Sequence, residues 1–235
     1  MALYAIADLH FSFTNPKPMD IFGKNWENHE KKIKNDWIKK VKKEDVVIIP
    51  GDISWAMTME EAYYDFKFIN ELPGKKIILK GNHDYYWNTQ TKLRNFIIEK
   101  KLDTIEFIHN NAQKYKKTII VGTRGWNINS QSEDDLKIIN REANRLELSI
   151  KYGIQKFKDY DEIIAFIHYP PITNKVELKD NVFLQTMKKY NIKKCYYGHL
   201  HGESHKDAIE GKINDIEFEL ISADYIDFKL KKVLD

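Results

Sequence analysis

The sequence has very little of the residue that forms covalent cross-links. Its 235 residues include a single cysteine, Cys195, which excludes an internal disulfide and a structural zinc site built from several cysteines. Cys195 begins a short apolar run with two tyrosines, so we interpret it as a buried strand residue rather than a reactive thiol. The fold therefore depends on a packed core, and 42% hydrophobic residues are a normal supply for one.

Long apolar runs and a strong charge of one sign are also missing. No stretch reaches the roughly 20 apolar residues of a membrane helix. The first apolar run contains Asp8 and His10 and has no basic leader, which argues against a signal peptide. The net charge is only +3, with both signs interspersed, so nucleic acid is a compatible partner but not an indicated one. We expect a cytoplasmic protein without membrane contact, and the oligomeric state stays open.

Short apolar runs alternate along the chain with longer amphipathic segments. We find no internal repeat and no Gly/Ser-rich linker, which predicts one domain over residues 1–235. The predicted strands are 3–7, 46–49, 76–79, 118–121, 163–167 and 195–197. The predicted helices are 26–41, 58–71, 132–153 and 181–190. Two antiparallel strands, 213–220 and 225–230, are predicted after them, with a turn near Gly211. This order predicts α/β layers with a mixed pair of sheets.

Side chains that bind metal ions follow five of these predicted strands. They are Asp8 and His10, Asp52, Asn82 with His83 and Asp84, His168, and His199 with His201. Ligand sites in open α/β sheets form beyond the carboxyl ends of the strands, so these residues are expected to meet there. Each short motif alone is weak, because Gly-Asp is a common turn and a lone histidine is usually structural. Together they use five of the eight histidines, which favours a shared site.

The order of these motifs resembles that of the calcineurin-like metallophosphoesterase superfamily. Its blocks correspond to Asp8-x-His10, Gly51-Asp52, Gly81-Asn82-His83-Asp84, His168 and Gly198-His199-x-His201. They span residues 8 to 201 and none is missing. Segments 51–55 and 122–126 further resemble a bacterial group of predicted phosphohydrolases. The resemblance implies a two-sheet β-sandwich flanked by helices.

The resemblance also implies a role for each motif residue. One metal ion would be bound by Asp8, His10 and His201, a second by Asn82, His168 and His199, and Asp52 would bridge them. His83 would donate to the substrate phosphoryl group and act as a general acid. Asp84 would orient the His83 ring and favour its imidazolium form, and a helix-capping role for Asp84 stays open.

Two bound ions suit the hydrolysis of a phosphate ester. Ions roughly 3.5–4 Å apart clamp the attacking and leaving oxygens, and a bridging hydroxide would be the nucleophile. Nitrogen and oxygen ligands without thiolate suit divalent or trivalent Mn, Fe, Zn or Co, of which we expect Mn. The predicted function is hydrolysis of a small phosphomonoester or phosphodiester. The alternatives are a nuclease, which would need a basic groove, and a non-catalytic scaffold, which the intact ligand set argues against.

Several further residues carry weaker signals. Arg124 lies on a glycine-flanked loop and could bind a phosphate of the substrate or be a structural arginine. Trp55 and Trp126 could wall a pocket, although core packing is the commoner role of such residues. The turn-rich loop from Phe11 to Lys24 follows the first ligand pair and is a candidate substrate lid. We interpret the other histidines as bystanders: His29, His109 and His205.

Overall fold

The strands form two sheets in the computed structural model, which describes residues 1–174 and 181–235. The first sheet contains β1 (Leu3–Ala5), β2 (Val46–Pro50), β3 (Lys75–Leu79), β4 (Ile105–Phe107) and β11 (Lys231–Leu234). Its strand order is β11-β1-β2-β3-β4, with β11 antiparallel to β1 and the other neighbours parallel. The expected strands at 3–7, 46–49 and 76–79 are therefore neighbours in one sheet.

The second sheet contains six strands. They are β5 (Gln113–Tyr115), β6 (Thr118–Thr123), β7 (Glu162–Ile167), β8 (Lys194–Tyr197), β9 (Gly211–Ile213) and β10 (Ile216–Leu220). The order is β5-β6-β7-β8-β10-β9, in which β6, β7, β8 and β10 run parallel and the two edge strands are antiparallel. Each sheet thus has a parallel centre, and its loops at the carboxyl ends emerge on one edge.

Five α-helices in residues 1–174 and 181–235 flank the sheets. They are α1 (His29–Lys40), α2 (Met59–Glu71), α3 (Gln90–Glu99), α4 (Glu133–Lys156) and α5 (Val182–Lys189). Short 3-10 helices cover Asp20–Phe22, Lys24–Trp26 and Gly202–Asp207. The helix starts expected at Thr58 and Ser132 are confirmed, because the Thr58 hydroxyl accepts from Glu61 N and the Ser132 hydroxyl from Asp135 N. The helix expected from residue 26 begins at His29 instead. No helix within the described ranges is both long and apolar enough to cross a membrane.

Three clusters of buried apolar residues hold the two sheets and the helices of the described chain together. One lies between the sheets and joins Ile48 and Ile77 of the first sheet to Ile120 and Phe166 of the second. The outer face of the first sheet packs on α1, α2 and α3, and the outer face of the second packs on α4 and α5. The result is a helix–sheet–sheet–helix arrangement, which confirms the expected fold class of α/β layers around two sheets.

The C-terminal stretch differs from the sequence prediction. Residues 225–230 are not the expected strand: 225–228 form turns, and the strand follows at Lys231–Leu234. Asp227 and Phe228 adopt positive φ angles of 53° and 55°, which an extended strand does not allow. Phe228 and Leu230 are buried all the same, so their apolar character reflects core packing of a turn. The hairpin turn lies at residues 214–215, between β9 and β10, rather than near Gly211.

Candidate metal centre

Loops from both sheets converge at the edge where the parallel strands end. The loops after β1, β2 and β3 carry Asp8 with His10, Asp52 and Asn82, and those after β7 and β8 carry His168 and His199 with His201. Backbone hydrogen bonds join the loops, for example from Asp8 N to the Gly51 carbonyl at 3.0 Å. The structure therefore brings all seven expected ligand residues to one region.

The backbone is strained at this edge. Asp8, His10, Asp52 and His199 have positive φ angles of 61°, 47°, 51° and 76°. Such conformations are unfavourable for residues with a side chain and cluster at functional sites, where the surrounding structure holds them. The side chains of four of the seven expected ligands are therefore oriented by a backbone conformation that is rare for residues other than glycine.

Two glycines allow the loops to pack this closely. A Cβ atom on Gly81 would lie 2.1 Å from Asp52 Oδ1, and one on Gly198 would lie 2.4 Å from Asp8 Oδ2. Real Cβ atoms do not approach other atoms so closely, so a side chain at either position would displace a carboxylate of the site. Glycine is needed here for close approach of the backbone.

The first set of potential ligands is Asp8, His10 and His201. Their ligand atoms lie within 4.8 Å of one another. His10 Nε2 is 3.2 Å from His201 Nε2, and Asp8 Oδ1 is 3.6 Å from His201 Nε2. Ligands around one ion with bonds of about 2.1 Å have a similar spacing. Asp8 Oδ1 is buried and has no hydrogen-bond partner within the described residues, so it is available to a cation.

The second set is Asp52, His168 and His199, again with ligand atoms within 4.8 Å of one another. Asn82 joins it, because its Oδ1 lies 2.7 Å from His168 Nε2. His168 Nδ1 lies 3.2 Å from the Pro50 carbonyl oxygen. That contact favours the tautomer with the proton on Nδ1, which leaves the Nε2 lone pair facing the set.

Asp52 lies between the two sets. Its Oδ2 is 3.5 Å from His168 Nε2 and 3.7 Å from His10 Nε2. Its Oδ1 accepts a hydrogen bond from His83 N at 2.8 Å, which fixes the orientation of the carboxyl group. A carboxylate in this position can contact an ion in either set.

The electrostatics of the buried groups fit a cation. No lysine or arginine pairs with Asp8 or Asp52 anywhere in residues 1–174 and 181–235. Burial raises the pKa of Asp52, and the nearby carboxyls of Asp84 and Asp8 raise it further. Burial likewise lowers the pKa of His168 to about 3 and that of His199 to about 4. Neutral imidazoles beside crowded carboxyls match the donor set of a divalent ion.

Asp224 supports the first set and was not predicted from the sequence. Its Oδ1 lies 2.8 Å from His201 Nδ1, and its Oδ2 accepts from Gly202 N at 3.0 Å. Burial opposes protonation of His201, but the carboxylates of Asp8 and Asp224 outweigh it and raise the pKa of His201 to about 10. A carboxylate behind a ligating histidine fixes the ring and increases its basicity. His205, interpreted as a bystander, lies 3.2 Å from Asp224 Oδ2.

His83 lies at the mouth of the site. Its ring centroid is 4.3 Å from that of Trp55 and 5.8 Å from that of His10, and its Nδ1 is 3.2 Å from the Tyr85 hydroxyl. Burial is the main cause that lowers its pKa, which favours the neutral form of the ring. A neutral ring can still donate one N–H to a substrate oxygen.

Asp84 does not contact the His83 ring, which corrects one sequence expectation. Its carboxylate accepts hydrogen bonds from the backbone N–H of Gly81, Asp52 and Ile53 at 2.7–3.0 Å, and from the Tyr86 hydroxyl at 2.9 Å. Burial raises the pKa of Asp84 to about 6 in spite of these donors. Asp84 ties the loop after β3 to the loop after β2; no helix starts directly after it.

Arg124 contacts residues outside the two ligand sets. Its guanidinium lies 4.5 Å from the centre of the Trp126 ring, and its Nη2 is 3.5 Å from Glu142 Oε1. These contacts favour the structural interpretation of Arg124. Trp55 instead stacks on His10 at 5.0 Å between ring centroids, so it walls the site. Within the loop after Phe11, the Phe22 ring centroid lies 6.0 Å from that of His201.

Comparison with known proteins gives a family and a fold. The family model described as calcineurin-like phosphoesterase matches residues 1–203. Comparison with curated proteins gives no match. Among solved structures, a protein of unknown function from Aquifex aeolicus is 17% identical, with TM-score 0.50 and coverage of 98% of this chain and 95% of that one.

Two other solved structures have a similar fold. The phosphopantetheinyl hydrolase of Mycobacterium tuberculosis is 13% identical, with TM-score 0.52 and coverage of 99% of this chain and 95% of that one. A Thermus thermophilus protein is 12% identical, with TM-score 0.55 and coverage of 99% and 97%. At these identities the likeness concerns the fold alone. The family match covers most of the chain, and the chain therefore belongs to the calcineurin-like phosphoesterase family.

Proposed function

We propose that this chain is a metal-dependent phosphoesterase with a dinuclear centre, acting on a small phosphomonoester or phosphodiester. The observation that carries the proposal is the position of Asp52 Oδ2, 3.5 Å from His168 Nε2 and 3.7 Å from His10 Nε2. Asp8, His10 and His201 would bind one ion, and Asn82, His168 and His199 the other, with Asp52 shared. The whole chain, residues 1–235, would act as one catalytic unit.

Two ions in these sets would supply an activated water and a positive field for the phosphoryl oxygens. With the two carboxylates Asp8 and Asp52 against two divalent ions, the centre keeps a net positive charge, which attracts an anion. The donor atoms suit Mn, Fe, Zn or Co, and Mn is the ion we propose first.

The protein residues would position the ester. His83 lies next to the ligand sets and is partly exposed, so its ring N–H can donate to a phosphoryl or leaving-group oxygen. Trp55 restricts the His83 ring on one side and the Tyr85 hydroxyl contacts its Nδ1. Asp84 would act indirectly, by holding the loop that carries Asn82 and His83 against the loop that carries Asp52.

The test is turnover of an aryl phosphate and of the matching bis-aryl phosphate by metal-free protein, and by protein reconstituted with Mn²⁺, Fe²⁺, Co²⁺ or Zn²⁺. We expect turnover of at least one ester only after reconstitution, with two ions bound per chain. Absence of turnover with every ion would support the scaffold alternative. Cleavage of single-stranded or duplex DNA in preference to both small esters would support the nuclease.

A further inference from the structure

A cleft opens directly beside His199. It has a volume of ≈ 410 Å³ and is lined by residues from two segments, 126–129 and 169–174, together with His199, Leu200 and the side chains of Asp135 and Asp207. We call it the His199 cleft. A volume in this range accommodates a small organic molecule. The cleft therefore adjoins the second ligand set and is large enough for the alcohol part of an ester.

Aromatic rings form part of the cleft wall. The rings of Trp126 and Tyr169 lie 5.5 Å apart between centroids, and the Tyr169 ring lies 4.0 Å from that of His199. Trp126 Nε1 donates to Asp135 Oδ1 at 2.6 Å, which fixes the orientation of the indole. A fixed ring pair beside a reactive centre offers a surface for a planar group.

The charged side chains in the described lining of the cleft are negative. Asp135 and Asp207 line it, and no lysine or arginine does so within the described residues. Hydrogen bonds from Ser130, Trp126 and Ser132 lower the pKa of Asp135, so its carboxylate stays ionised. Arg124 is not among the lining residues, because it lies against Trp126 and beside Glu142.

The ligand sets and the His199 cleft therefore favour groups of opposite charge. The ligand sets would be positive with ions bound, whereas the described lining of the adjoining cleft is acidic. A polyanion such as a nucleic acid strand would place further phosphates against the carboxylates of Asp135 and Asp207, which is unfavourable. A substrate with one phosphate and an uncharged or cationic remainder meets no such repulsion.

From these observations we infer that the His199 cleft holds the leaving group, and that it selects a leaving group with a planar part and no negative charge. This inference rests on the proposed phosphoesterase function and specifies its substrate class. The planar part lies against Trp126 and Tyr169, and an amine or quaternary ammonium on its far side faces Asp207.

Three aryl phosphates of nearly equal leaving-group strength test the charge selection: the 4-aminomethyl, 4-hydroxymethyl and 4-carboxymethyl phenyl phosphates. The methylene spacer keeps the substituent charge from acting strongly on the ester bond. We expect kcat/KM for the cationic ester to exceed that for the anionic ester about tenfold, as for unit charges several ångströms apart in a partly hydrated cleft.

Asp207 is the residue to change, because it is exposed and its side chain makes no hydrogen bond or ion pair within the described residues. Asp207→Asn should reduce the cation-to-anion ratio about threefold, and Asp207→Lys should invert the preference. Glu203→Gln is the matched control, since Glu203 is exposed on the same Gly202–Asp207 helix but does not line the cleft. An unchanged ratio in Asp207→Lys would overturn the inference.

Binding of the product phenols gives a readout that does not need turnover. Chemical shifts of residues around the cleft in the wild-type protein should move with 4-aminomethylphenol at lower concentrations than with 4-carboxymethylphenol. Tyr169→Leu should weaken binding of both phenols about fivefold, through loss of ring stacking. If no ester turns over but this order of binding holds, the phosphoesterase proposal fails, and with it the leaving-group role; the cleft then remains a binding site for planar groups without negative charge. If esters turn over without any charge order, the cleft assignment fails.

Discussion

The two ligand sets differ in what surrounds them. His10 and His201 of the first set are enclosed by rings: Trp55 stacks on His10 at 5.0 Å, and Trp26 lies 5.4 Å from His201 between centroids. Asp224 supports His201 from behind. The second set borders the His199 cleft. From this difference we propose that the first set would hold its ion in place, and that the second would present its ion to the substrate.

The largest effect on turnover is expected from a change at Asp52, the residue that the two ligand sets would share. Asp52→Asn keeps the shape of the side chain but removes the charge that both sets would use. We expect turnover to fall on the order of 10⁴-fold, because the change affects both ions at once. Metal analysis after dialysis should give fewer than two ions per chain. Retention of both ions with full turnover would reject Asp52 as the shared ligand.

The next largest effect on turnover is expected from a change at His83, which should leave both ligand sets intact. His83→Ala removes a ring that neither set contains, so metal content should stay at the wild-type value. We expect kcat to fall about 10²–10⁴-fold, the range for loss of a proton donor in the transition state. His109→Ala is a suitable control, since its Nδ1 contacts Trp87 Nε1 at 3.4 Å, away from the ligand sets. Loss of metal from His83→Ala would contradict the assigned role.

A smaller effect, on metal affinity, is expected from a change at Asp224, and it should distinguish the two ligand sets. Asp224→Asn removes the charge behind His201 and leaves the second set unchanged. We expect the affinity for one ion to fall about 10–100-fold, as for other changes behind ligating histidines. Competition with a chromophoric chelator should resolve one weakened site and one unaltered site. Equal weakening of both sites would show that the sets are not independent in this respect.

How far the sequence predicts this site depends on where each residue lies relative to a strand. Asp8, Asp52 and His168 follow apolar strands directly, and their meeting point follows from the parallel arrangement of those strands. Asp224 also comes after a strand, β10, but the apolar residues behind it suggested another strand instead of a buried turn. The spacing of Ile226, Phe228 and Leu230 is the same in either case, so periodicity could not distinguish them.

The partners of Asp84 show a second limit. Its carboxylate accepts mainly from backbone N–H groups of Gly81 and of residues 52–54, and backbone donors have no sequence signature. The ring contact with His83 is an expectation that the resemblance implies for neighbouring motif residues. The tight turn that carries these residues instead points the carboxylate toward the neighbouring loop. Contacts of this kind follow only from the path of the backbone.

The smallest expected effect concerns α4 and α5, the helices that pack on the second sheet. It tests whether a change in the contact between these helices alters metal binding by the second ligand set. Glu147 on α4 accepts at one oxygen, Oε1, from Lys189 at 2.9 Å, Tyr190 at 2.7 Å and Lys151 at 3.0 Å. The hydrogen bond from Lys189, followed by those from Tyr190 and Lys151, lowers the pKa of Glu147 to about 2. Lys189 and Tyr190 belong to α5 and the residue after it, so Glu147 joins the two helices that cover the second sheet.

Because the folded-state pKa of Glu147 lies below its ordinary value, its contribution to stability is present above about pH 4.5 and is lost as the pH falls through about 2. Glu147→Gln should lower the free energy of unfolding by about 0.2–1 kcal/mol at pH 7, the range for exposed pairs. Urea unfolding at pH 7, 5 and 3 should show the difference from wild type shrinking at the lowest pH. Glu217→Gln is the matched control, because Glu217 is the exposed position of β10 and has no ion pair in the described residues; it should leave the free energy of unfolding at pH 7 unchanged. Metal content and kcat should be unchanged in both variants. A selective loss of the ion bound by His168 and His199 in Glu147→Gln would contradict this expectation. It would mean that the helices, and not the loops alone, hold these two histidines in place.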